Sequence, residues 1–269
     1  MDKKEIPLLD NFYLDMPILT AEKFVKTEIK EKYFDKVTSY KVTTVVLCWE
    51  YRETRLEHIL KDCELIIDDV AWKSFLWKKK VLFVMLRIGA PTASACIEEL
   101  KIYGIKNFIA AGTAGYINKN IDEKTTVVIT RAIRDEGTSY HYLPPSLYVD
   151  LDKELADLLS DYLTLNGVKN IQGTTWTTDA FYRETKNRTA KRIKQGASGV
   201  EMEAAALAAT AKFHNLKFGQ FVWFTDKADG ADWRFIADSE HRASTKEKML
   251  LLALNFANEL IKCKKNLEV

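Results

Sequence analysis

The feature that most constrains the fold is an alternation of short apolar runs with longer amphipathic stretches, which extends from about residue 42 to residue 262. The runs are short and rich in β-branched and aromatic residues, as expected for buried strands; they cover residues 42–48, 81–86, 107–111, 125–130, 173–178 and 218–224. The stretches between them carry apolar residues at helical spacing; the longest cover residues 92–103, 152–165, 202–214 and 245–262. Buried strands that alternate with helices predict an α/β fold with a mainly parallel, helix-covered sheet.

The chain shows no sign of a division into several folding units. Its five prolines and eleven glycines are dispersed, and it contains no linker-like, repetitive or low-complexity tract. Residues 1–40 have a mixed composition with a helical pattern at 20–33, and they precede the first apolar run. We therefore predict one domain over residues 41–269 and an N-terminal extension, residues 1–40, that packs on it.

Charge, hydropathy and cysteine usage exclude several classes of function. The 40 basic and 38 acidic residues nearly balance, which argues against a nucleic-acid or membrane-surface partner. No apolar stretch approaches the ~20 residues of a membrane helix, and the N-terminus lacks the apolar core of a signal peptide. The cysteines lie far apart and form no CxxC pair: Cys48, Cys63, Cys96 and Cys263. We therefore expect a cytoplasmic protein without disulfides, bound metal or cofactor.

Two glycine-containing segments follow predicted strands, and ligands of such sheets gather at the carboxyl ends of the strands. Gly112-Thr113-Ala114-Gly115 comes directly after the third run; its glycines permit a close approach of ligand to backbone, and Thr113 offers a hydroxyl. The 87–94 segment has Pro91 and Thr92 at a helix start, where an anion can bind. Each segment alone is equally compatible with a simple strand exit or a helix start, with Thr92 as the expected N-cap.

Two acidic segments follow at the same predicted edge of the sheet. Glu201-Met202-Glu203 opens an alanine-rich helix; a carboxylate there can hold ribose hydroxyls, and the methionine can line the sugar. Stabilisation by the helix dipole is the simpler alternative. Asp226 follows the last apolar run, where burial raises the pKa of a carboxyl group and suits it to general acid catalysis. An aspartate that only caps a turn is the alternative here.

Together, and in this order, these segments resemble the nucleoside phosphorylase family, which includes purine nucleoside phosphorylases, uridine phosphorylases and methylthioadenosine nucleosidases. GVEMEAAAL, at 199–207, matches the family's ribose-binding motif nearly letter for letter, and IGAPTASACIEEL with FIAAGTAGYI resembles its two glycine loops. RDEGTSYHYLP, at 134–144, is similar to a segment of uridine phosphorylases. TTDAFY, at 177–182, is similar to the segment whose aromatic residue stacks on the base. The resemblance runs from about residue 43 to the C-terminus.

The resemblance implies a three-layer α/β/α sandwich around a central mixed, partly closed β-sheet, and it implies a set of site residues. The implied ribose-binding residues are Met202, Glu203, Glu201 and Thr113. The implied base-binding residues are Phe181, Thr225, Asp226 and Arg183. The implied phosphate-binding residues are Arg55, Thr113, Gly112, Lys73 and Arg87. The resemblance also implies that Asp226, which would protonate the base, and Glu203, which would clamp the sugar, form the catalytic pair, and that Lys73 reaches a neighbouring subunit.

The implied phosphate site departs from the family pattern at two positions. Tyr51 stands where the first loop of phosphorylases has a glycine, and Ala110 stands where they have an arginine. The AAGTAG loop and the 225–229 segment are instead similar to those of nucleosidases, which activate water with a glutamate of the first loop. Glu50 and Glu53 are the candidates for that role in this chain.

The residues and the resemblance together predict an enzyme that cleaves the N-glycosidic bond of a purine nucleoside or uridine. With phosphate as co-substrate, the products are the base and ribose 1-phosphate. The alternatives are a nucleosidase that uses water and a nucleoside-binding homologue without activity. Thr185 and Asn187 replace the glutamine and arginine that read a pyrimidine in uridine phosphorylases, which favours a purine. The expected partners are nucleoside, phosphate and further copies of the chain, in an assembly between a dimer and a hexamer.

Overall fold

The computed structural model describes residues 6–10, 12–50, 52–228 and 233–265; Tyr51 and Asp229 lie outside the described residues. The described α-helices are α1 (Ala21–Val25), α2 (Glu28–Ser39), α3 (Glu57–Leu60), α4 (Ala90–Ile102), α5 (Lys153–Leu165), α6 (Lys186–Lys194), α7 (Ala204–Phe213) and α8 (Ser239–Lys265). The described strands are β1 (Thr44–Cys48), β2 (Cys63–Asp68), β3 (Trp72–Trp77), β4 (Val81–Leu86), β5 (Asn107–Tyr116), β6 (Thr126–Asp135), β7 (Tyr148–Asp150), β8 (Asn170–Thr178), β9 (Ala197–Glu201), β10 (Lys217–Lys227) and β11 (Arg234–Phe235). Short 3-10 helices occupy Pro7–Leu9, Phe12–Leu14, Glu53–Arg55, Thr138–His141 and Phe181–Arg183.

The described strands belong to one mixed sheet, and part of this sheet closes into a ring. Around the ring the order is β10, β6, β8, β9 and β5, and β5 pairs again with β10. From β5 the sheet continues as an open wing of β1, β4, β3 and β2. The pairs β1–β4, β1–β5, β5–β10, β6–β8 and β8–β9 are parallel, whereas ring pairs β6–β10 and β5–β9 are antiparallel. The mixed, partly closed sheet implied by the family resemblance is therefore confirmed, and the expectation of a mainly parallel sheet is wrong.

Helices cover both faces of this sheet, which gives the molecule three layers. Successive residues of β1 point to opposite faces, and both faces are buried. Val45 and Leu47 belong to a core with α4 and α7, whereas Val46 and Cys48 belong to a core with α5 and α8. Burial on both faces explains why such strands read as continuous apolar runs in the sequence.

The glycine segment at 112–115 lies inside a strand rather than in a turn after it. β5 continues to Tyr116 because it pairs with β10 along its whole length and with β9 at its end. Close packing requires the glycine at 115, where an added Cβ would lie 2.9 Å from the side chain of Val200. In the same way β10 continues to Lys227, so that Asp226 belongs to the strand instead of following it.

The start of α4 also differs from the expectation. The helix begins at Ala90, so Thr92 lies within it, and the N-cap residue is Gly89. The φ angle of Gly89 is 120°, a conformation that suits glycine and disfavours residues with a side chain. Pro91 follows in the first turn, where a helix does not need the N–H that proline lacks.

The N-terminal extension contacts the rest of the chain at several points. α1 packs against α4, and the hydroxyl of Tyr33 on α2 donates to the backbone oxygen of Asp68 at 2.7 Å. The 3-10 helices Pro7–Leu9 and Phe12–Leu14 lie against Thr138–His141. Several apolar side chains of this extension are exposed, among them Phe12, Leu14, Met16 and Ile18. The domain boundary at residue 40 stays a prediction.

None of the described helices is both long enough and apolar enough to span a membrane.

Candidate active site

A cavity of about 1030 Å³ lies at the carboxyl ends of the parallel strands β1, β5 and β10, beside the junction of β9 and α7. Ligands of open α/β sheets bind at such edges. The predicted site residues that line this cavity are Arg55, Gly112, Thr113, Phe181, Glu201, Met202, Glu203 and Asp226. Residues assigned to ribose, base and phosphate therefore border one common space.

Glu201, the last residue of β9, is committed to hydrogen bonds within the protein. Its Oε1 accepts from the hydroxyl of Thr177 at 2.6 Å. Its Oε2 accepts from the backbone N–H groups of Glu203 and Ala204 at 2.8 and 2.7 Å. Burial raises the pKa of the Glu201 carboxyl. These N–H groups stand at the start of α7, where a helix leaves backbone donors unpaired, so Glu201 satisfies two of them and holds the backbone of Glu203 in place.

Glu203 is the N-cap residue of α7, and its side chain extends towards the start of α4. It is 6% exposed, and its Oε1 accepts from the backbone N–H of Gly89 at 2.7 Å. Burial, and after it the charge of Glu201, raise the pKa of Glu203 to about 8. A hydrogen-bond donor that reaches this group favours its ionised form.

Asp226 lies near the end of β10, opposite Gly115 of β5. The indole N–H of Trp233 donates to its Oδ2 at 2.9 Å, and the hydroxyl of Thr225 donates to its Oδ1 at 3.2 Å. Burial raises the pKa of Asp226, and the two donors offset this effect only in part. A carboxyl group with a raised pKa in a cavity wall is suited to donate a proton.

Glu184 places a second carboxyl group near Asp226. It follows the 3-10 helix Phe181–Arg183 and lines the cavity. Burial, and then the charge of Asp226, raise the pKa of Glu184 to about 7. The same segment supplies an aromatic wall, because the ring centroids of Phe181 and Tyr182 lie 4.0 Å apart and both residues line the cavity.

Cationic side chains gather around Glu50, which follows β1 and is 3% exposed. Lys246 Nζ, from α8, lies 3.1 Å from Glu50 Oε2, and Arg55 Nη1 lies 3.7 Å from the same oxygen. Burial opposes ionisation of Glu50, but Lys246, the backbone N–H of Arg52 and Arg55 together hold its pKa below the usual value. Arg52 also lines the cavity, so three cationic side chains and one carboxylate border this part of the site.

Trp49 and Gln220 form the wall next to Gly112. A Cβ at Gly112 would lie 3.0 Å from the ring of Trp49 and 3.8 Å from the amide nitrogen of Gln220. The tryptophan ring therefore lies directly against the backbone of β5. Glycine at this position makes room for Trp49, whereas the sequence suggested that it opens the backbone to a ligand.

Two of the predicted phosphate-binding residues lie outside the cavity lining. Lys73, on β3, forms ion pairs with Glu53 at 2.7 Å and with Asp68 at 3.4 Å. Arg87 follows β4, and its Nε donates to the backbone oxygen of Val70 at 3.2 Å. Among the described residues of one chain, the cationic side chains that border the cavity are instead Arg52 and Arg55 from the segment after β1, Lys186 from α6 and Lys246 from α8.

Two of the predicted base-binding residues also lie outside the lining. Thr225 reaches the site only through its hydrogen bond to Asp226. Arg183, the last residue of its 3-10 helix, is exposed, and the next residue, Glu184, lines the cavity in its place.

Sequence reasoning missed several residues that border the cavity: Trp49, Glu184, Gln220, Trp233 and Lys246. Gln220 and Lys246 belong to long regular elements and reach the site only through the tertiary fold, so no local pattern singles them out. Glu184 follows the aromatic pair of the TTDAFY segment by two residues, which is a usable signal. Among the described residues, no group of His, Cys, Asp and Glu is arranged to hold a metal ion.

The chain is similar in sequence to known nucleoside phosphorylases. The chain is 28% identical over 112 residues to the uridine phosphorylase of Haemophilus influenzae, which covers 42% of this chain and 44% of that protein. It is 33% identical over 153 residues to the DeoD-type purine nucleoside phosphorylase 1 of Shewanella oneidensis, which covers 56% of this chain and 65% of that protein. The matched segments thus span less than two thirds of the lengths of these relatives.

A solved structure shares the fold over a larger part of the chain. The crystal structure of uridine phosphorylase from Vibrio fischeri superposes with a TM-score of 0.68 and covers 80% of this chain and 92% of that one, at 23% identity. In addition, residues 69–257 match the family described as the phosphorylase superfamily, and this match includes β5, the junction of β9 and α7, and Asp226. The chain therefore belongs to the phosphorylase superfamily.

Proposed function

We propose that the protein cleaves the N-glycosidic bond of a purine nucleoside with phosphate as the acceptor, and releases the free base and ribose 1-phosphate. One observation carries the proposal: a single cavity is bordered by the buried carboxyl group of Glu203, by Asp226 with its raised pKa, and by a cluster of cationic side chains. These are the three kinds of group that the reaction needs for the sugar, the leaving base and the acceptor.

The charge around Glu50 supports an anionic acceptor. Arg55 Nη1 and Lys246 Nζ lie 3.7 and 3.1 Å from Glu50 Oε2, and Arg52 lines the same cavity. Cationic side chains grouped in this way suit a phosphate anion. Thr113 lines the same cavity and offers a hydroxyl for a phosphate or sugar oxygen.

The chemistry of the step assigns a role to each group. A phosphate oxygen forms a bond to C1′ of the ribose on the face opposite the base, and the bond between C1′ and the base nitrogen breaks. Its electron pair leaves with the base, and Asp226 donates a proton to N7 so that the base departs as a neutral molecule. Glu203 holds the ribose hydroxyls, and the phosphate stabilises the positive charge that develops on the sugar.

Product analysis with and without phosphate tests the proposal. We expect ribose 1-phosphate and free base from a purine nucleoside, and no cleavage when phosphate is omitted. Arg55→Ala should raise the KM for phosphate about tenfold to a hundredfold, because a charge-assisted contact is worth about 1.5–3 kcal/mol, and should change the KM for nucleoside little. The matched control is Arg131→Ala, since Arg131 is paired with Asp150 on the surface. Binding of nucleosides without any turnover would contradict the proposal.

Hydrolysis is a second candidate, because the ring of Trp49 covers the strand backbone at Gly112, a residue predicted to bind phosphate. Glu50, which follows Trp49 in the sequence, is buried and has a lowered pKa. An ionised carboxylate in this position is suited to take a proton from water as the water attacks the sugar. Free ribose as the product, formed at the same rate with and without phosphate, would establish this candidate and reject the phosphate acceptor.

A further inference from the structure

Two carboxyl groups from different elements line the same cavity. Asp226 comes from β10, and Glu184 comes from the segment between the 3-10 helix Phe181–Arg183 and α6. Both line the cavity, and they are close enough for the charge of Asp226 to act on Glu184.

The cation whose charge acts on Glu184, Arg188, is bound to another carboxylate. Arg188 on α6 forms two hydrogen bonds to Asp135 of β6, from Nε to Oδ2 at 2.9 Å and from Nη2 to Oδ1 at 2.7 Å. Arg192 binds the same carboxylate at 2.8 Å. Arg188 therefore acts on Glu184 only through its charge. The network holds α6 against β6 and leaves the Glu184 carboxyl to the cavity.

A pair of this kind can carry a single proton. Burial raises the pKa of both groups, and the charge of Asp226 adds to this effect at Glu184, whose pKa lies at about 7. Near neutral pH, one carboxyl can therefore be protonated while its neighbour is ionised, and a ligand can select which one holds the proton. The pair then offers one hydrogen-bond donor beside one acceptor.

We propose that Glu184 sets the base preference by accepting a hydrogen bond from the 6-amino group of a purine while Asp226 donates to N7. The inference rests on the proposed function and names its substrate class, the 6-aminopurine nucleosides. In adenine, N7 is an acceptor and the neighbouring amino group is a donor, which complements one protonated and one ionised carboxyl. A 6-oxopurine presents two acceptors along the same edge and requires both carboxyls to be protonated.

The surroundings of Glu184 disfavour a pyrimidine. Thr185 and Asn187, at the positions that read a pyrimidine in uridine phosphorylases, are not among the residues that line the cavity. Glu184 and Lys186 line it instead. The side chains of this segment that border the cavity are therefore a carboxylate and an amine, in place of a glutamine and an arginine.

The test compares adenosine, inosine and uridine as substrates of the wild type and of Glu184→Gln. The glutamine keeps the size of the side chain but offers both a donor and an acceptor, so it tolerates a 6-oxo group. We expect the wild type to favour adenosine and the ratio of kcat/KM for adenosine over inosine to fall about tenfold to a hundredfold in the variant. The matched control is Asp161→Asn, an exposed carboxylate on α5, which should leave the ratio unchanged.

The pH dependence gives a second readout. Protonation of Glu184 supplies a donor for a 6-oxo group, so inosine should gain on adenosine as the pH falls through about 7, the pKa of Glu184. The charged groups that face Glu184 are Asp226 from β10 and Arg188 from α6, with Lys186 beside them in the lining. Glu184→Gln should reduce this pH dependence to the part that Asp226 contributes.

The outcomes separate the two proposals. If nucleosides are cleaved but Glu184→Gln leaves the ratio and its pH dependence unchanged, the role of Glu184 is rejected while the proposed function stands. Preferred cleavage of uridine by the wild type would also overturn the assignment. If no nucleoside is cleaved at all, the proposed function itself fails.

Discussion

At the scale of single residues, Glu201 and Glu203 show how two carboxyl groups two positions apart acquire different tasks. The oxygens of Glu201 accept from the hydroxyl of Thr177 and from the N–H groups at the start of α7. Glu203, held in place by these bonds, borders the cavity and accepts one hydrogen bond from Gly89. The first carboxyl group builds the junction, and the second is available to a ligand.

The raised pKa of Glu203 predicts that this residue lowers stability at high pH. Below the unfolded value of 4.5 the carboxyl is protonated in both states, and between 4.5 and about 8 only the unfolded chain loses the proton. Ionisation therefore favours the unfolded state, and stability falls as the pH rises through this window. Glu203→Gln should be more stable than the wild type above pH 8, by at least about 1 kcal/mol, and equal to it near pH 4.

The same variant should lose cleavage about tenfold to over a hundredfold, because a neutral amide replaces the charged acceptor for the ribose hydroxyls. Chemical denaturation at the two pH values and kinetics at neutral pH measure the two effects. A loss of activity together with a loss of stability at high pH would point to a structural role, and unchanged turnover would remove Glu203 from the site.

Local motifs predicted Glu203 and Thr113, because each lies in a short run of residues that together border the cavity. The motifs did not reveal Glu184 or Lys246, because the role of each residue depends on distant parts of the sequence that the fold places beside it. Lys246, for example, meets Glu50 across 196 positions of sequence. Lys73 and Arg87 are predicted phosphate-binding residues, but within one chain their partners include Glu53, Asp68 and Val70.

At the scale of secondary-structure elements, a hydroxyl group joins β8 to the junction of β9 and α7. Thr177 Oγ1 donates to Glu201 and accepts from the N–H of Ala205 at 3.0 Å, in a fully buried position. Thr177→Val keeps the shape, leaves the N–H of Ala205 without its acceptor, and leaves Glu201 Oε1 with only the longer bond from Thr175 at 3.4 Å. The free energy of unfolding should therefore fall by about 1–3 kcal/mol. Urea denaturation measures the change.

The control for this prediction is Thr164→Val on the exposed side of α5. There the hydroxyl donates to the backbone oxygen of Ser160 and accepts from the side-chain amide of Asn170, and both bonds are exposed so that water can replace them. That substitution should change stability by less than about 0.5 kcal/mol. Equal effects of the two substitutions would mean that the hydroxyl of Thr177 does not stabilise the junction.

The sequence predicts most of the core strands because burial on both faces leaves continuous apolar runs, as in β1 and β4. It does not predict the hairpin of β2 and β3, since Cys63–Asp68 mixes exposed charged residues with buried ones. It also misses β9, which is short and contains Ser198 and Gly199. The closure of the ring depends on which strands pair, and no local pattern carries that information.

At the scale of the whole molecule, the N-terminal extension exposes apolar side chains that a second copy of the chain can cover. Phe12, Leu14, Met16 and Ile18 are each at least 70% exposed. Clusters of this kind usually mark an interface, and soluble enzymes commonly assemble symmetrically. We therefore predict an oligomer in solution, measured by light scattering at micromolar concentration.

Replacement of Phe12 and Leu14 by serine should shift this assembly towards the monomer without loss of the folded domain, because neither side chain is buried in the chain itself. A wild-type protein that is monomeric under these conditions would contradict the prediction. An assembly that persists unchanged in the double variant would place the interface elsewhere.

The closure of the five-strand ring has a consequence for the synthesis of the protein. β5 and β6 are made early, but β10, which pairs with both, is among the last strands to leave the ribosome. Until then each of these strands has an unpaired edge able to bind another chain, and Asp226 is not yet in place. The nascent chain therefore passes through an inactive stage that is prone to aggregation, and protection by a chaperone matters most just before residues 217–227 emerge.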